Sequence, residues 1–145
     1  MTTFWGIVVI GLGLLAWGGQ VLSWLAPDTA VRLSVMESED SVEPSFYADV
    51  KGEAMWDSLT LWTMLVAGIL LVAGNPWWTY FGLVGGGMFI YFTGRGIASR
   101  RSISRAGFSV GAPKTVAQAY VFLGLWGAIG LITVIAAITT LQAGA

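Results

Sequence analysis

The sequence predicts an all-α integral membrane protein, a four-helix bundle with antiparallel up-down topology and both termini on the same side of the membrane. Three observations lead to this fold class: a composition too apolar for water, four long apolar runs, and basic residues confined to two polar loops. Of the 145 residues, 56% are hydrophobic and only 10% are charged, whereas a soluble domain carries about 25% charged residues. Folded in water, such a chain would expose large apolar patches, so the bilayer is its natural solvent.

Four apolar runs make the chain one transmembrane domain, residues 1–145. The predicted spans are about 4–25, 56–73, 77–97 and 114–141. The first run holds 22 uncharged residues, which at about 1.5 Å per residue cross the ~30 Å hydrocarbon core, and we interpret it as a retained helix. Gly74, Asn75 and Pro76 suit a helix end, an N-cap and a first helical position, which predicts a tight hairpin between the second and third helices.

The basic residues set the predicted orientation. Four crossings bring the polar segments 27–52 and 98–112 to one side of the membrane and both termini to the other. All seven basic residues lie in or beside these segments: Arg32, Lys51, Arg95, Arg100, Arg101, Arg105 and Lys114. Because Lys and Arg in short loops favour the cytoplasmic side, we expect both loops in the cytoplasm and both termini outside it, in the plasma (inner) membrane.

The two loops also differ in charge. All eight carboxylates lie between Asp28 and Asp57, and five of the seven basic residues lie between Arg95 and Lys114. We therefore predict that the loops attract each other and cap the cytoplasmic end. Exposed ion pairs contribute only ~0–1 kcal/mol each, so a firm cap needs apolar packing too. The loop residues available for that packing are Met36, Phe46, Tyr47 and Phe108.

Polar side chains gather in the predicted cytoplasmic half. Asp49, Glu53 and Asp57 are spaced i, i+4 and i+8, so they share one face if the second helix starts early. Counted from the hairpin turn, Asp57 lies about 25 Å and Arg95 about 27 Å along their helices, which predicts an ion pair between them. The whole predicted cluster comprises Glu53, Asp57, Arg95, Gln20, Gln118, Tyr91 and Tyr120. Two interpretations stay open: ion pairs that lock the helices, and a ligand pocket or ion path.

Glycine and tryptophan residues in the apolar runs have two interpretations each. Gly82 and Gly86 form a GxxxG pattern, which favours close helix packing within the chain or dimerisation. Trp17, Trp62 and Trp126 lie too deep for an interfacial belt. They are expected to fill the helix contacts or to stack on an apolar ligand.

The layout resembles the DoxX-like family of small four-helix membrane proteins. The shared features are the polar loop after the first helix, acidic residues entering the second, the tight hairpin, Gly94-Arg95 at the end of the third helix, and Gly111-Ala112-Pro113 before the fourth. The resemblance implies this fold, and it permits a quinone-related role because some members are linked to quinone-associated redox systems. Some relatives carry an acidic residue in the fourth helix, where this chain has only Gln118.

Composition excludes several functions. With no cysteine and no histidine, disulfides, thiol catalysis and Cys/His metal sites are ruled out, and we expect no metal, no cofactor and no catalytic residue. Nucleic-acid binding is not expected from so few basic residues. The expected partners are the lipid bilayer and either other membrane subunits or a second copy of the chain.

The remaining expectation is a small non-enzymatic membrane protein, an accessory or structural subunit of a membrane complex. The alternative is a binder or carrier of a small hydrophobic molecule, a quinone or a lipid, in the cytoplasmic half. A third hypothesis, an enzyme that uses Glu53 or Asp57 as an acid/base, has no nucleophile–base pair in the sequence to support it.

Overall fold

The computed structural model describes residues 2–144, without the side chain of Thr2, and this part of the chain is helical and contains no β-strand. The α-helices are α1 Thr2–Leu25, α2 Pro27–Arg32, α3 Pro44–Thr60, α4 Trp62–Val72, α5 Trp78–Arg105 and α6 Pro113–Ala143. A single 3₁₀ turn, Glu39–Ser41, precedes α3. A proline opens α2, α3 and α6, because its backbone angle is preset for a helix and its missing N–H is not needed in the first turn.

Three helical segments are long and apolar enough to cross a membrane. They are Thr3–Leu25, the combined α3–α4 segment Pro44–Val72, and Pro113–Ala143. The prediction of a protein with transmembrane helices is confirmed at this level. Helix α5 is also long, but glycine, tyrosine and arginine residues make it less apolar. The fourth crossing and the topology therefore stay predictions.

The hairpin turn between α4 and α5 ends α4 at the predicted glycine, but α5 begins at Trp78 with Trp77 as its N-cap, so Asn75 and Pro76 lie in the turn and not at the predicted N-cap and first helical positions. Gly74 adopts a φ of +65°, which L side chains rarely adopt. The N–H groups of Gly74 and Asn75 donate to the carbonyl oxygens of Leu71 and Leu70, and this pattern is the Schellman helix end. The Asn75 side chain then accepts a hydrogen bond from the Trp77 N–H at 3.0 Å, so it caps the turn that leads into α5.

Two helices are longer than predicted on the side of the charged loops. The second apolar run belongs to a helical segment that begins at Pro44, and α5 continues beyond residue 97 to Arg105. The basic loop is thus reduced to residues 106–112. Arginine is a good helix former, so the charge that suggested a loop is compatible with a helix. Gly107, with a φ of +88°, forms a second Schellman end.

Helices α3 and α4 would be one helix without a break at Leu61. The hydroxyl groups of Ser58, Thr60 and Thr63 donate to carbonyl oxygens three or four residues earlier, and such bonds bend helices. The indole of Trp17 on α1 donates to the Ser58 carbonyl oxygen at 2.9 Å. This bond ties α1 to the break, so Trp17 is a packing residue.

Glycines determine how closely the helices approach. Helix α4 packs against α1 and α5, and α6 packs against α5, whereas α1 and α6 contact each other little. A Cβ atom added at Gly85 would lie 2.6 Å from the Met64 backbone, so α4 and α5 touch there. Gly86 lies against Gly130 of α6, and Gly82 also faces α6. The GxxxG pair therefore packs within the chain.

The two charged loops meet at one end of the molecule, as predicted. Val42 and Val110 form an isolated antiparallel bridge, and the Glu43 N–H donates to the Ser109 carbonyl oxygen at 2.9 Å. Phe46 is buried against both valines. These contacts supply the apolar packing that a firm cap needs.

Two of the four apolar residues predicted for this cap pack in its apolar cluster: Phe46 is buried there and Tyr47 packs on it. Met36 is buried too, but outside this cluster. The prediction for Phe108 is wrong, because its side chain is 53% exposed. Its N–H donates to the Ile103 carbonyl oxygen, so helix capping rather than apolar contact fixes its position.

Candidate functional site

A cluster of charged side chains lies below the loop cap, on neighbouring faces of α3 and α5. Arg95 bridges two carboxylates: its Nη2 lies 2.6 Å from Asp49 Oδ1 and its Nη1 lies 2.6 Å from Glu53 Oε1. Ser99 Oγ donates to the other oxygen of Asp49 at 3.3 Å. Because Asp49 and Glu53 lie one turn apart on α3, both carboxylates face the same guanidinium, whose N–H donors lie in one plane.

The predicted ion pair between Asp57 and Arg95 is wrong. In the part of the chain that the structure describes, no Lys or Arg nitrogen lies within 4.0 Å of the Asp57 carboxylate. Asp57 is 2% exposed, and its Oδ2 has no hydrogen-bond partner. Because Gly85 lies against Met64, Arg95 is level with about residue 54, next to Glu53. Its guanidinium contacts Glu53 and Asp49, the two acids on the loop side of Asp57.

A third ion pair closes the loop end of the molecule. Arg100 Nη2 donates to Glu37 Oε1 at 3.2 Å, and both side chains are largely buried. The Arg100 guanidinium also lies 5.4 Å from the centre of the Phe46 ring, within the range of a cation–π contact. Glu37 comes from the irregular segment after α2, so this pair fastens that segment onto α5.

A groove lies between α1 and α6, and we call it the lateral groove. It has a volume of about 570 Å³, and it exists because α1 and α6 contact each other little. Phe92 and Gly96 of α5 line its floor, and residues 33–37 line its loop end. Pockets of roughly 300–1,000 Å³ are typical of small-molecule sites.

The polar residues that line the lateral groove lie at its loop end, beside the apolar Leu33, Val35 and Met36, and the lining farther along is apolar. The polar end is formed by Ser23, Gln20, Glu37, Arg100, Thr115 and Gln118. The apolar part is formed by Leu12, Leu15, Phe122, Leu123 and Trp126. Trp126 packs on Phe92 and Phe122, with ring centroids 5.8 and 5.5 Å apart, so aromatic rings form much of this wall.

The structure divides the predicted polar cluster into three groups. Gln20, Gln118 and Glu53 line the lateral groove. Arg95 is held in the ion-pair cluster and Asp57 is buried near it, and neither lines the groove. Tyr91 is 55% exposed, and Tyr120 is not a lining residue either. The two tyrosines thus fail to join the cluster, because depth alone does not determine which side of a helix a residue faces.

Sequence reasoning missed Glu37, Arg100 and Phe122 as groove residues. Glu37 lies in an irregular acidic segment without periodicity, so nothing in the sequence distinguishes it from the exposed acids beside it. Arg100 lies one helical turn after Gly96, so helix periodicity would have placed both on the same face. It was missed because the third helix was predicted to end at residue 97. Trp126 was considered as a stacking residue, and it lines the groove.

Comparison of the chain with family profiles, with curated proteins and with solved structures found no match. The candidate site is therefore assigned from its own geometry.

Proposed function

We propose that this protein crosses the membrane four times and binds an amphiphilic small molecule, a lipid or a quinone, in its lateral groove. The observation that carries the proposal is the groove itself, which has a polar end beside the loop cap and an apolar, aromatic remainder. Such a gradient matches a ligand with one polar head and one apolar tail.

The four crossings are supported by the order of the helices. Helix α4 ends at the hairpin turn, and α5 runs from that turn back to the charged loops, where α6 begins. If α3–α4 and α6 span the bilayer, α5 must cross it as well to join them. Its 28 residues extend about 42 Å at 1.5 Å per residue, which exceeds the ~30 Å hydrocarbon core.

A groove between α1 and α6 would open sideways into the lipid. The ligand could then enter from the leaflet next to the charged loops without passing through water. Because the basic residues lie at that end, the positive-inside rule makes it the cytoplasmic leaflet. The distance from Gln20 to Leu12 is eight residues along α1, about 12 Å, which gives room for part of an apolar tail.

The polar end favours a head group without net charge. Glu37 and Arg100 neutralise each other, and Glu53 is paired with Arg95. Gln20 and Gln118 carry amides that both donate and accept hydrogen bonds. A carbonyl, hydroxyl or zwitterionic head fits these groups, whereas an isolated charge would lack a counterion there. A quinone head meets this description and agrees with the role that the resemblance to the DoxX-like family permits.

The test is to purify the protein in mild detergent and to identify the retained lipids and quinones by mass spectrometry. Ala119 lines the groove, whereas Ala117 is exposed on the same helix and does not. We expect Ala119→Phe to fill the groove and to reduce the retained amphiphile at least about tenfold, which corresponds to ~1.4 kcal/mol. Ala117→Phe, the matched control, should retain it.

Two results would contradict this function. The first is a wild-type protein that retains no amphiphile above the composition of the bulk membrane. The second is an Ala119→Phe variant that retains as much as the wild type while both variants unfold at the same temperature.

The second candidate function is an accessory or structural subunit. The observation in its favour is a set of outward glycines on α5: Gly87 and Gly94 have open space where a side chain would be, and such faces allow close approach of another helix in lipid. Proteins that co-purify in the same experiment, with no amphiphile retained, would favour this function.

A further inference from the structure

A second, separate trough lies on the outer face of α5, on the side away from the lateral groove. It has a volume of about 440 Å³, and all its lining residues come from α5: Gly94, Ile97, Ala98, Arg101, Ser102 and Arg105. Their spacing of three and four residues places them in one stripe along the helix. The stripe joins small residues at one end to two arginines at the other.

The two arginines of this trough are free to bind an anion. The ion pairs in the described residues use Arg95 and Arg100, and none of them includes Arg101 or Arg105. Both side chains are exposed and lie one turn apart. An arginine fork binds phosphate oxygens in a bidentate manner, and Ser102 adds a hydroxyl donor between them.

The depth of the trough matches the boundary between acyl chains and head groups. Arg101 follows Trp78 by 23 residues, about 35 Å along the helix, which is slightly more than the ~30 Å of hydrocarbon. Gly94 lies about 24 Å from Trp78 by the same count, within the hydrocarbon. Gly94 has no atom within 4 Å of an added Cβ, so an acyl chain can lie directly on the helix there.

From these observations we propose that the α5 trough binds one anionic phospholipid of the loop-side leaflet. Arg101 and Arg105 hold its phosphate, and an acyl chain lies over Ala98 and Gly94. The inference rests on the proposed membrane placement of α5 but not on the function of the lateral groove. Charge complementarity selects the occupant, because the trough presents two cations and no carboxylate.

The test measures lipid binding to the purified full chain by native mass spectrometry. The probes are phosphatidylglycerol and phosphatidylcholine with identical acyl chains, so that only the head group differs. We expect a preference for phosphatidylglycerol of about fivefold per arginine, or roughly 25-fold for the pair. The double variant R101Q/R105Q should bind both lipids equally. R32Q is the matched control, because Arg32 is also exposed and outside the described ion pairs.

Three outcomes would overturn the proposal. A double variant that keeps the preference shows that these arginines do not bind the lipid. A control variant that loses it equally shows only a general charge effect. Displacement of the lipid by millimolar inorganic phosphate shows a site for a free anion. The Ala119→Phe variant separates the two proposals: it should keep the phosphatidylglycerol preference whether or not the lateral groove binds its own ligand.

Discussion

Arg95 is the residue that joins α3 to α5 at the level of the polar cluster. Its guanidinium contacts Asp49 and Glu53, and its side chain is 31% exposed, against 37% and 11% for the two acids. A fully exposed ion pair contributes ~0–1 kcal/mol, and partial burial strengthens the attraction but adds a desolvation cost that offsets it. Removal of one partner from a buried pair costs more, because the remaining charges lose their counterion.

We expect Arg95→Met to lower the free energy of unfolding by roughly 1–3 kcal/mol, since it leaves two carboxylates without a cation. Thermal unfolding in detergent measures the change. Arg32→Met is the control, because Arg32 is exposed and outside the described ion pairs, and it should have little effect. Equal losses for both variants would show that the bridge does not stabilise the protein.

The sequence predicted the residues of this cluster better than their pairing. The spacing of Asp49, Glu53 and Asp57 correctly placed acids on a face near Arg95, because helix periodicity alone determines that face. The partner of Arg95 was wrong, because it depends on the directions of the side chains as well as on the register of two helices across a turn. That register is set by the contact of Gly85 with Met64, which no local pattern encodes.

At the scale of the elements, helix ends were predictable where a particular residue type favours the backbone conformation that ends a helix. Gly74 ends α4 as expected, because it adopts a positive φ that few other residues tolerate. The end of α5 was predicted too early, because a hydrophobicity pattern stops where the charge begins while the helix continues to Arg105. The break at Leu61 was not predicted, since hydroxyl–backbone bonds have only a weak sequence pattern.

The contact of α4 with α5 depends on Gly85. Its added Cβ would lie 2.6 Å from the Met64 backbone, and a backbone cannot move aside as a flexible side chain can. We expect Gly85→Ala to destabilise the protein by roughly 1–3 kcal/mol, the usual cost of overpacking. The measurement is again thermal unfolding in detergent.

Gly87 provides the matched control for this substitution. It lies two residues away on the same helix, and its added Cβ would meet nothing within 4 Å. Gly87→Ala should be neutral or stabilising by up to about 1 kcal/mol, because alanine is the better helix former. If Gly85→Ala were equally harmless, the close approach of α4 and α5 would be refuted.

At the scale of the whole molecule, the lateral groove follows from which helices are neighbours. Helices α4 and α5 lie between α1 and α6, so the first and last helices leave a gap that the segment 33–37 closes only at the loop end. The sequence predicted polar groups near this level through Gln20 and Gln118. It did not predict the gap, because the lateral order of helices is a property of their packing and not of any one segment.

The charged loops also predict an orientation of the molecule in the membrane. Because the sequence contains no cysteine, single introduced cysteines can test this orientation without background labelling. Glu39 and Ser104 are exposed at the charged-loop end, and Ala73 is exposed at the hairpin turn. We expect a membrane-impermeant maleimide to label Ala73→Cys in intact cells. Glu39→Cys and Ser104→Cys should react only after the membrane is permeabilised, because the positive-inside rule predicts that their end lies in the cytoplasm.

Labelling of all three variants from outside would mean that α4 and α5 do not cross the bilayer. Labelling of Glu39→Cys and Ser104→Cys alone would mean that the protein is inserted in the opposite orientation, and the lateral groove would then open to the outer leaflet.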